Sequence, residues 1–372
     1  MRHLFFILPV VFLSCGKKAT ALPTPQPAPT DTAFIIRGMD LSFTPMLNNN
    51  NTIFYTGGNA QPILQLVKAK GINTIRIRIW NNPADEHSSL TEVLSFAQQL
   101  KAAGLAFWLD FHYSDTWADP GKQAKPAAWN SLSFALLQDS VYACTKNVIE
   151  TLKQNNAAPD FVQVGNEINS GMLWEDGKID YSNINGFDNF SALLKQGIKA
   201  VRETSPSTKI IIHIAGYTGA DFFYNELSKQ GIDYDIIGLS YYSWWHGTSL
   251  DALSQTISGL HTTYKKPVMI AETGYPFTMG YNDATDNIVG TTTGLISAYP
   301  ATETGQASFI TDLMHKTITA SPGDYSGVCY WAPDWVAYKG LSATDGSPWE
   351  NIALFDFTNN ALPAMDSLGS SK

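Results

Sequence analysis

Two glutamates, each close to a short apolar run, are the residues of this sequence best suited to catalysis. Glu167 closes the string VGNE, and Glu272 lies in the string AETGYP. Two carboxyl groups that meet across one cleft are the usual means of cutting a glycosidic bond. Taken alone, either glutamate is better explained by an ion pair or a helix cap. The interpretation therefore depends on the elements that would bring the two together.

Those elements alternate along the chain between apolar runs and segments with helical periodicity. The segment 90–103 repeats apolar residues at helical spacing and is stopped by Gly104, and the segment 62–70 begins with proline and is followed by Gly71. Eight strand–helix units predict an α/β fold, a (β/α)8 TIM barrel that forms a single domain. A doubly wound open sheet is the alternative, but no glycine loop suited to phosphate follows the first strand. The predicted strands are 34–41, 73–80, 105–112, 160–167, 209–214, 235–242, 267–272 and 326–332.

Polar side chains recur on one face of several predicted strands. Because side chains alternate along a strand, residues of one parity point to the inside of a barrel. A purely structural interior rarely accepts so many polar groups, whereas a cleft at the carboxyl ends of the strands needs them. The residues that share a parity within their strands are Arg76, Arg78, Trp80, Trp108, Asp110, His112, Gln163, Gly165, Glu167, Gly238, Ser240 and Tyr242.

The composition favours a large domain with an uncharged substrate. Of 372 residues, 44% are hydrophobic and 15% are charged, which is enough apolar material for a substantial core. Acidic residues outnumber basic ones by 33 to 24 and the basic residues do not cluster, so we expect no nucleic-acid partner. Most tryptophans lie at or beyond strand ends, where their flat faces can pack on sugar rings or anchor loops. We favour stacking on sugars for Trp244, Trp331 and Trp335.

The N-terminus has the features of an export signal followed by a tether. Residues 1–14 contain an apolar run too short to span a bilayer, which predicts a signal peptide. The string LSCG resembles a bacterial lipoprotein processing site, so we expect Cys15 to carry lipid and to anchor the protein to the outer membrane or cell envelope. An ordinary secretory signal, and a secreted protein, is the alternative. Residues 15–33 then form the lipidated cysteine and a Pro/Thr-rich tether, of which residues 19–33 could extend about 45 Å, and residues 34–372 form the catalytic domain.

The other two cysteines are predicted to be buried free thiols. Cys144 lies in an amphipathic helical stretch and Cys329 in an apolar strand. A disulfide between them is the less favoured reading.

Eight ordered motifs carry a resemblance to a known enzyme family. Residues 34–362 resemble the family 53 glycoside hydrolases, which are endo-β-1,4-galactanases with catalytic glutamates on the fourth and seventh barrel strands. The match covers nearly the whole mature chain, and such a series arises by chance far less readily than one short motif. The motifs are GMDLS (38–42), TIRIRIWNNP (74–83), DFHYSDTWADPGKQAKPAAW (110–129), VQVGNEINSGMLW (162–174), IIGLSYYSWWHG (236–247), AETGYP (271–276), GVCYWAPDW (327–335) and WENIALFDF (349–357).

The resemblance implies a role for each catalytic residue. Glu167 would be the general acid/base and Glu272 the nucleophile of a retaining double displacement. Asn166 would bind the sugar 2-OH, while Tyr242 and an arginine of the second strand, Arg76 or Arg78, would orient Glu272. The wider predicted substrate-binding set is Asp40, Arg76, Arg78, Asp110, His112, Asp115, Trp117, Asn166, His213, Tyr242, Trp244, His246, Trp331 and Trp335. For His112 a purely structural hydrogen bond is an equal alternative.

These roles set requirements for the charges of the two carboxyl groups. Glu272 must be ionised to attack the sugar, so we expect a neighbouring arginine and tyrosine to lower its pKa. Glu167 must first be protonated, and the charge on Glu272 would raise its pKa. A retaining reaction predicts carboxyl groups about 5–5.5 Å apart. The chemistry requires no cofactor.

A structural calcium ion is a further, weaker implication of the resemblance. Some relatives bind Ca²⁺ between the loops after strands seven and eight, and oxygen ligands suit that ion. The spacing departs from the relatives' pattern at Tyr281 and Thr285, and a solvated polar loop is the favoured alternative. The candidate ligands are Asp283, Asp286, Asn287, Ser347 and Glu350.

The sequence thus predicts an exported, monomeric endo-β-1,4-galactanase that acts on galactan or type I arabinogalactan. Its partners would be this polysaccharide and, through the lipid anchor, a membrane. One alternative is a retaining endo-β-1,4-glycanase acting on mannan or cellulose, since the residues do not separate galactose from its epimers. A second is a non-catalytic glycan-binding lipoprotein, against which the presence of both glutamates argues.

Overall fold

The computed structural model describes Met1 and residues 33–370. Apart from Met1, the predicted signal peptide 1–14, the lipidation site Cys15 and the tether up to residue 32 lie outside the described residues. Within the described part of the chain, none of the helices combines the length and apolar character needed to cross a bilayer.

Eight parallel strands close into a barrel, which confirms the predicted (β/α)8 fold. The barrel strands follow one another in chain order, and the first closes the ring by pairing with the last. The strands β2 and β3 lie outside the barrel and form an antiparallel hairpin that the sequence did not suggest. The strands are β1 (Ile36–Asp40), β2 (Phe54–Thr56), β3 (Asn59–Gln61), β4 (Thr74–Ile79), β5 (Ala106–Phe111), β6 (Phe161–Val164), β7 (Lys209–Ala215), β8 (Ile236–Tyr241), β9 (Val268–Thr273) and β10 (Gly327–Tyr330).

Helices cover the outside of the barrel and are specified by local sequence signals. The predicted helix 90–103 is capped by the Ser89 side chain, which accepts a hydrogen bond from the amide of Glu92, and it ends at Gly104 with φ 69°. The helices are α1 (Thr44–Asn49), α2 (Ile63–Ala69), α3 (Leu90–Ala103), α4 (Phe134–Gln154), α5 (Asp188–Thr204), α6 (Ala220–Lys229), α7 (Ser243–His246), α8 (Leu250–Tyr264), α9 (Glu303–Ala320) and α10 (Pro363–Gly369).

The barrel interior is apolar at its base and polar toward the carboxyl ends of the strands. Trp108, Phe161 and Ile211 belong to the apolar cluster inside the barrel. Two residues further along β5 and β6, Asp110 and Gln163 pair in register and face the same interior. The predicted parity is therefore correct, and it directs the polar side chains toward one mouth of the barrel.

The two cysteines of the described part are free thiols. Cys329 is buried in β10, as predicted, whereas Cys144 in α4 is partly exposed and contacts Asn81.

Candidate active site

A cleft of about 560 Å³ opens at the carboxyl ends of the barrel strands and contains both glutamates. Most of the predicted substrate-binding residues line it together with Glu167 and Glu272. Those residues are Asp40, Arg76, Arg78, His112, Trp117, Asn166, Tyr242, His246, Trp331 and Trp335.

Glu167 owes its position to a break in the strand that precedes it. The predicted strand 160–167 ends early, at Val164, because Gly165 takes a φ of 91° and Glu167 a φ of 47°. A left-handed glutamate is uncommon and carries a conformational cost, which is typical of functional positions. The turn directs the carboxyl group of Glu167 into the cleft, where its Oε1 accepts a hydrogen bond of 2.5 Å from Ser240 Oγ.

Glu272 is directed inward by an irregularity in the pairing of β8 with β9. Leu239 pairs with Ile270, but the next residue, Ser240, pairs with Glu272, so Ala271 is an extra residue. Ala271 belongs to the interior cluster, and strict alternation would then point its successor outward. The bulge reverses that direction and places the Glu272 carboxylate inside the barrel mouth.

Arg76 is the positive centre of the site. Its guanidinium contacts three carboxylates, those of Asp40 at 2.9 Å, Asp110 at 2.8 Å and Glu272 at 2.8 Å. It also donates a hydrogen bond of 2.8 Å to Asn166 Oδ1. Arg76 is completely buried, and these negative neighbours outweigh the burial and raise its pKa. Of the two arginines considered from the sequence, Arg76 therefore orients Glu272.

The protonation of the two glutamates follows from burial and from their different neighbours. Burial raises the pKa of Glu167 to about 7 and raises that of Glu272 well above its ordinary value. Arg76 lowers the pKa of Glu272, as expected of the neighbouring arginine, but burial outweighs it and the pKa is raised overall. Of the two glutamates, however, only Glu272 contacts Arg76 and Tyr242 Oη, the latter at 3.1 Å. These contacts favour the charged form of Glu272 over that of Glu167, which is the division of charge that the predicted roles require.

Arg78 has a different environment from Arg76. Its guanidinium lies 4.4 Å from the ring centre of Phe43 and 4.2 Å from that of Trp117, and its Nε donates to Ser88 Oγ. Burial lowers the pKa of Arg78 to about 10, so it stays charged near neutrality. Trp335 stacks on the same Phe43 ring at 3.9 Å. Arg78 thus supports an aromatic wall of the cleft through cation–π contacts.

A family model described as Glycosyl hydrolase family 53 matches residues 36–368.

The chain belongs to glycoside hydrolase family 53.

Among the relatives of this family 53 chain, an arabinogalactan endo-beta-1,4-galactanase of Cellvibrio japonicus is 36% identical over 88% of the chain and 89% of the relative. An endo-beta-1,4-galactanase of Bacillus subtilis is 32% identical over 89% of the chain and 84% of the relative. The solved structure of a family 53 catalytic domain from Ignisphaera aggregans is similar, with a TM-score of 0.84 and 38% identity, over 92% of this chain and 98% of that one. The resemblance inferred from the motifs is confirmed.

Four predicted substrate-binding residues of the family 53 chain do not line the cleft. Asp110 lies below it, where Arg76 and His112 hold its Oδ2. These partners overcome the burial of Asp110 and lower its pKa. His213 is fully buried. The Asp115 carboxylate accepts two backbone amides, and Trp244 packs against other aromatic rings.

His112 lines the cleft, but both of its ring nitrogens contact other groups of the protein. Nε2 contacts Asp110 at 3.1 Å, and Nδ1 accepts the amide of Ala118 at 3.1 Å and Trp80 Nε1 at 3.3 Å. The structural alternative considered from the sequence therefore fits His112 better than direct sugar binding.

Several residues of the cleft were not predicted individually. Trp245 is adjacent to the predicted Trp244 in SYYSWWHG, but only Trp245 reaches the cleft, because helix α7 directs the two rings differently. Trp349 opens the motif WENIALFDF, which was used for the resemblance alone. The other residues missed are Ala118, Asp119, Pro120, Ala215, Ile288 and Pro348.

The structure does not show the calcium site that the resemblance implied. Among residues 33–370, no group of three or more His, Cys, Asp or Glu side chains is close enough to bind a metal. Asp283 accepts the amides of Thr285 and Ser347, and Glu350 Oε1 accepts those of Asn282 and Asp283.

Few oxygens remain for an ion in this region. Asp286 is exposed, and Ser347 Oγ donates to the carbonyl of Trp335. Asn287 Oδ1 and Glu350 Oε2 are buried without a hydrogen-bond partner. Thr285, where the spacing departs from the pattern of the resemblance, joins the two loops: its hydroxyl donates to Ala343 O and accepts from Gly346 N.

Proposed function

We propose that this chain is an endo-β-1,4-galactanase that hydrolyses internal bonds of galactan or type I arabinogalactan with retention of configuration. The observation that carries this proposal is the pair of glutamates in one cleft, of which only Glu272 contacts Arg76 and Tyr242, in a chain that belongs to family 53. The named galactanases among its relatives support galactan as the substrate.

In the proposed mechanism, one glutamate transfers protons and the other attacks the sugar. Glu167 gives its proton to the oxygen of the scissile bond while the Glu272 carboxylate attacks the anomeric carbon and forms a glycosyl ester. The ester removes the charge of Glu272, so the pKa of Glu167 falls and the Glu167 carboxylate can take a proton from water. That water releases the sugar and regenerates Glu272. Two carboxyl groups perform every proton transfer and the covalent step, so the reaction needs no cofactor.

Neighbouring side chains bind the sugar around this pair. Asn166 Nδ2 donates one hydrogen to the carbonyl of Ala118, and its second hydrogen is available for the sugar 2-OH. Burial lowers the pKa of His246 to about 4, so its ring is neutral. His246 Nδ1 accepts the amide of Tyr242, which leaves Nε2–H to donate to a sugar hydroxyl. Trp331 and Trp335 line the cleft and offer faces for sugar rings.

The test compares substrates and catalytic variants. Reducing sugar released from unsubstituted galactan, mannan and soluble cellulose should show galactan as the preferred substrate by a wide margin. Glu167→Gln should lower the rate on galactan by about 10²- to 10⁴-fold because the general acid is lost, and Glu272→Gln should abolish turnover. Equal activity on mannan or cellulose would contradict the substrate, and galactan hydrolysis that survives in both variants would contradict the site.

We further propose that the protein is exported and anchored by lipid at Cys15. The string LSCG and the proline-rich tether support this assignment. The barrel begins at Ile36 on the amino ends of the strands, opposite to the carboxyl ends that carry the cleft. In cells that express the full chain, labelled palmitate should be incorporated and the enzyme should stay with membranes. Cys15→Ala should remove both properties, and membrane retention of this variant without label would contradict the anchor.

A further inference from the structure

Ser240 and His213 form a hydrogen-bonded chain behind Glu167. Ser240 Oγ lies 2.5 Å from Glu167 Oε1, and His213 Nε2 lies 2.9 Å from Ser240 Oγ. Both Ser240 and His213 are fully buried and neither lines the cleft. Buried polar groups that are linked in this way fix one another's orientation.

The direction of the chain follows from the partners of Gln163. Gln163 Oε1 accepts a hydrogen bond from Arg76 Nε, so its amide nitrogen points the other way and lies 3.0 Å from His213 Nδ1. Asn166 Oδ1, also 3.0 Å from His213 Nδ1, already accepts hydrogens from Arg76 and Gln163. Gln163 Nε2 also lies 3.1 Å from the carbonyl oxygen of Gly165. Because Arg76 and Gln163 already use both lone pairs of Asn166 Oδ1, we assign His213 Nδ1 as an acceptor of Gln163 Nε2–H and place the single ring hydrogen on Nε2.

The charge state of His213 agrees with that direction. Burial and the nearby Arg76 guanidinium lower the pKa of His213 well below its ordinary value, so the ring is neutral. Nε2–H then donates to Ser240 Oγ, and the Ser240 hydroxyl has its own hydrogen free to donate to Glu167. The chain runs in one direction, from Gln163 through His213 and Ser240 to the carboxyl group.

We infer that Ser240 and His213 are positioning residues for the general acid: they occupy Oε1 of Glu167 and thereby keep its proton on Oε2. This inference rests on the proposed role of Glu167. A protonated carboxyl group has two oxygens on which the proton can lie, and only one orientation serves the leaving group. Because Ser240 donates to Oε1, that oxygen acts as the acceptor in both charge states of Glu167. The bulge at Ala271 lies beside Ser240, so one irregularity of the sheet places Glu272 and this donor together.

The test is a pH profile of kcat/KM for Ser240→Ala on two substrates. Galactan needs the acid to protonate its leaving group, whereas an aryl β-galactobioside with a nitrophenyl leaving group does not. For Ser240→Ala we expect kcat/KM on galactan to fall about tenfold, because the carboxylate charge that develops on Glu167 as it gives up its proton loses a hydrogen-bond donor. The basic limb of the profile should move up by about one pH unit, because the Glu167 carboxylate loses a donor. The aryl substrate should be cleaved at nearly the unmodified rate.

Three further variants separate this role from a structural one. Ser240→Thr keeps the hydroxyl and should restore the unmodified profile. His213→Leu removes the donor to Ser240 and should move the basic limb in the same direction by less. Ser243→Ala deletes a buried hydroxyl of the same segment that has no hydrogen-bond partner, so it should leave the profile unchanged.

The inference would be overturned if the basic limb of Ser240→Ala did not shift, or if kcat/KM fell equally on both substrates. In that case Glu167→Gln would still lose galactan hydrolysis, and the proposed function would stand. Full galactan activity in Glu167→Gln would instead overturn the proposed function itself.

Discussion

At the scale of single residues, the site depends on an unequal distribution of charge between two carboxyl groups. Arg76 and Tyr242 contact Glu272, whereas Glu167 receives only the neutral Ser240 hydroxyl. Burial disfavours two neighbouring charges, and these contacts favour the charge on Glu272, as the proposed roles of the pair require. The acid and the nucleophile are thus distinguished by their neighbours rather than by residue type.

The pH dependence of hydrolysis tests this distribution. Glu167 works as an acid only while it is protonated, and burial raises its pKa to about 7. We therefore expect kcat/KM on galactan to decrease as the pH rises through about 7. The profile should be measured with the unmodified enzyme and with Glu167→Gln, in which the basic limb should disappear. A basic limb of the same position in both proteins would assign it to another group.

The substitution Arg76→Lys tests the importance of an arginine that contacts several buried carboxylates. A lysine cannot contact the three carboxylates of Asp40, Asp110 and Glu272 at once, so buried charges would be left unpaired. We expect a loss of about 3–5 kcal/mol in the free energy of unfolding, measured by urea denaturation, and a large fall in kcat.

Arg202→Lys is the matched control. Arg202 contacts two carboxylates, those of Asp233 and Asp235, but on the surface. The Arg202→Lys substitution should change the free energy of unfolding by no more than about 1 kcal/mol. Equal losses in the two variants would show that the buried cluster has no special importance.

At the scale of elements, the turn at Gly165 and the bulge at Ala271 aim the two glutamates. A Cβ on Gly165 would lie 2.6 Å from Ile168 Cγ2, and the φ of 91° is itself strained for any other residue. We expect Gly165→Ala to lower the melting temperature and to reduce kcat, because the turn that carries Glu167 must shift.

Gly259 provides a matched control for that substitution. It lies inside α8, and a Cβ there meets nothing within 4 Å. Gly259→Ala should raise stability by up to about 1 kcal/mol without changing kcat. If the Gly165→Ala variant kept both the melting temperature and the kcat of the unmodified enzyme, the turn would not be needed to aim Glu167.

The boundaries of most of these elements could be predicted from the sequence. Helical periodicity and caps predicted α3 to the residue, and every barrel strand lies within its predicted range or one residue beyond it. Side-chain parity predicted which residues face the interior. Parity does not indicate how far below the cleft an inward side chain lies. Asp110 and His213 were therefore predicted to bind substrate, although they lie beneath the cleft.

The remaining features depend on contacts that no short pattern encodes. The bulge at Ala271 arises from the pairing of β8 with β9, and alternation along one strand does not reveal it. The hairpin of β2 and β3 consists of very short strands with little apolar alternation. Parity predicted that Ser240 faces inward. Its hydrogen bond to Glu167 could not be predicted, because the two residues come together only when the barrel closes.

At the scale of the whole molecule, the barrel brings distant segments to one mouth and joins the loops beyond it without a metal cluster in the described residues. We predict that a calcium chelator leaves the melting temperature unchanged, because hydrogen bonds from backbone amides and through Thr285 join the two loops. The measurement is a thermal melt with and without chelator, and with added Ca²⁺ as a control. A lower melting temperature in chelator that Ca²⁺ restores would show that an ion is bound after all.

The central claim is that Glu272 forms a bond with the sugar while Glu167 supplies the proton. A 2-deoxy-2-fluoro-β-galactobioside with a good leaving group should trap the glycosyl ester, and mass spectrometry of a proteolytic digest should locate it. We predict a single adduct on the peptide that contains Glu272, and none in Glu272→Gln. An adduct on Glu167 or on any other residue would contradict the account.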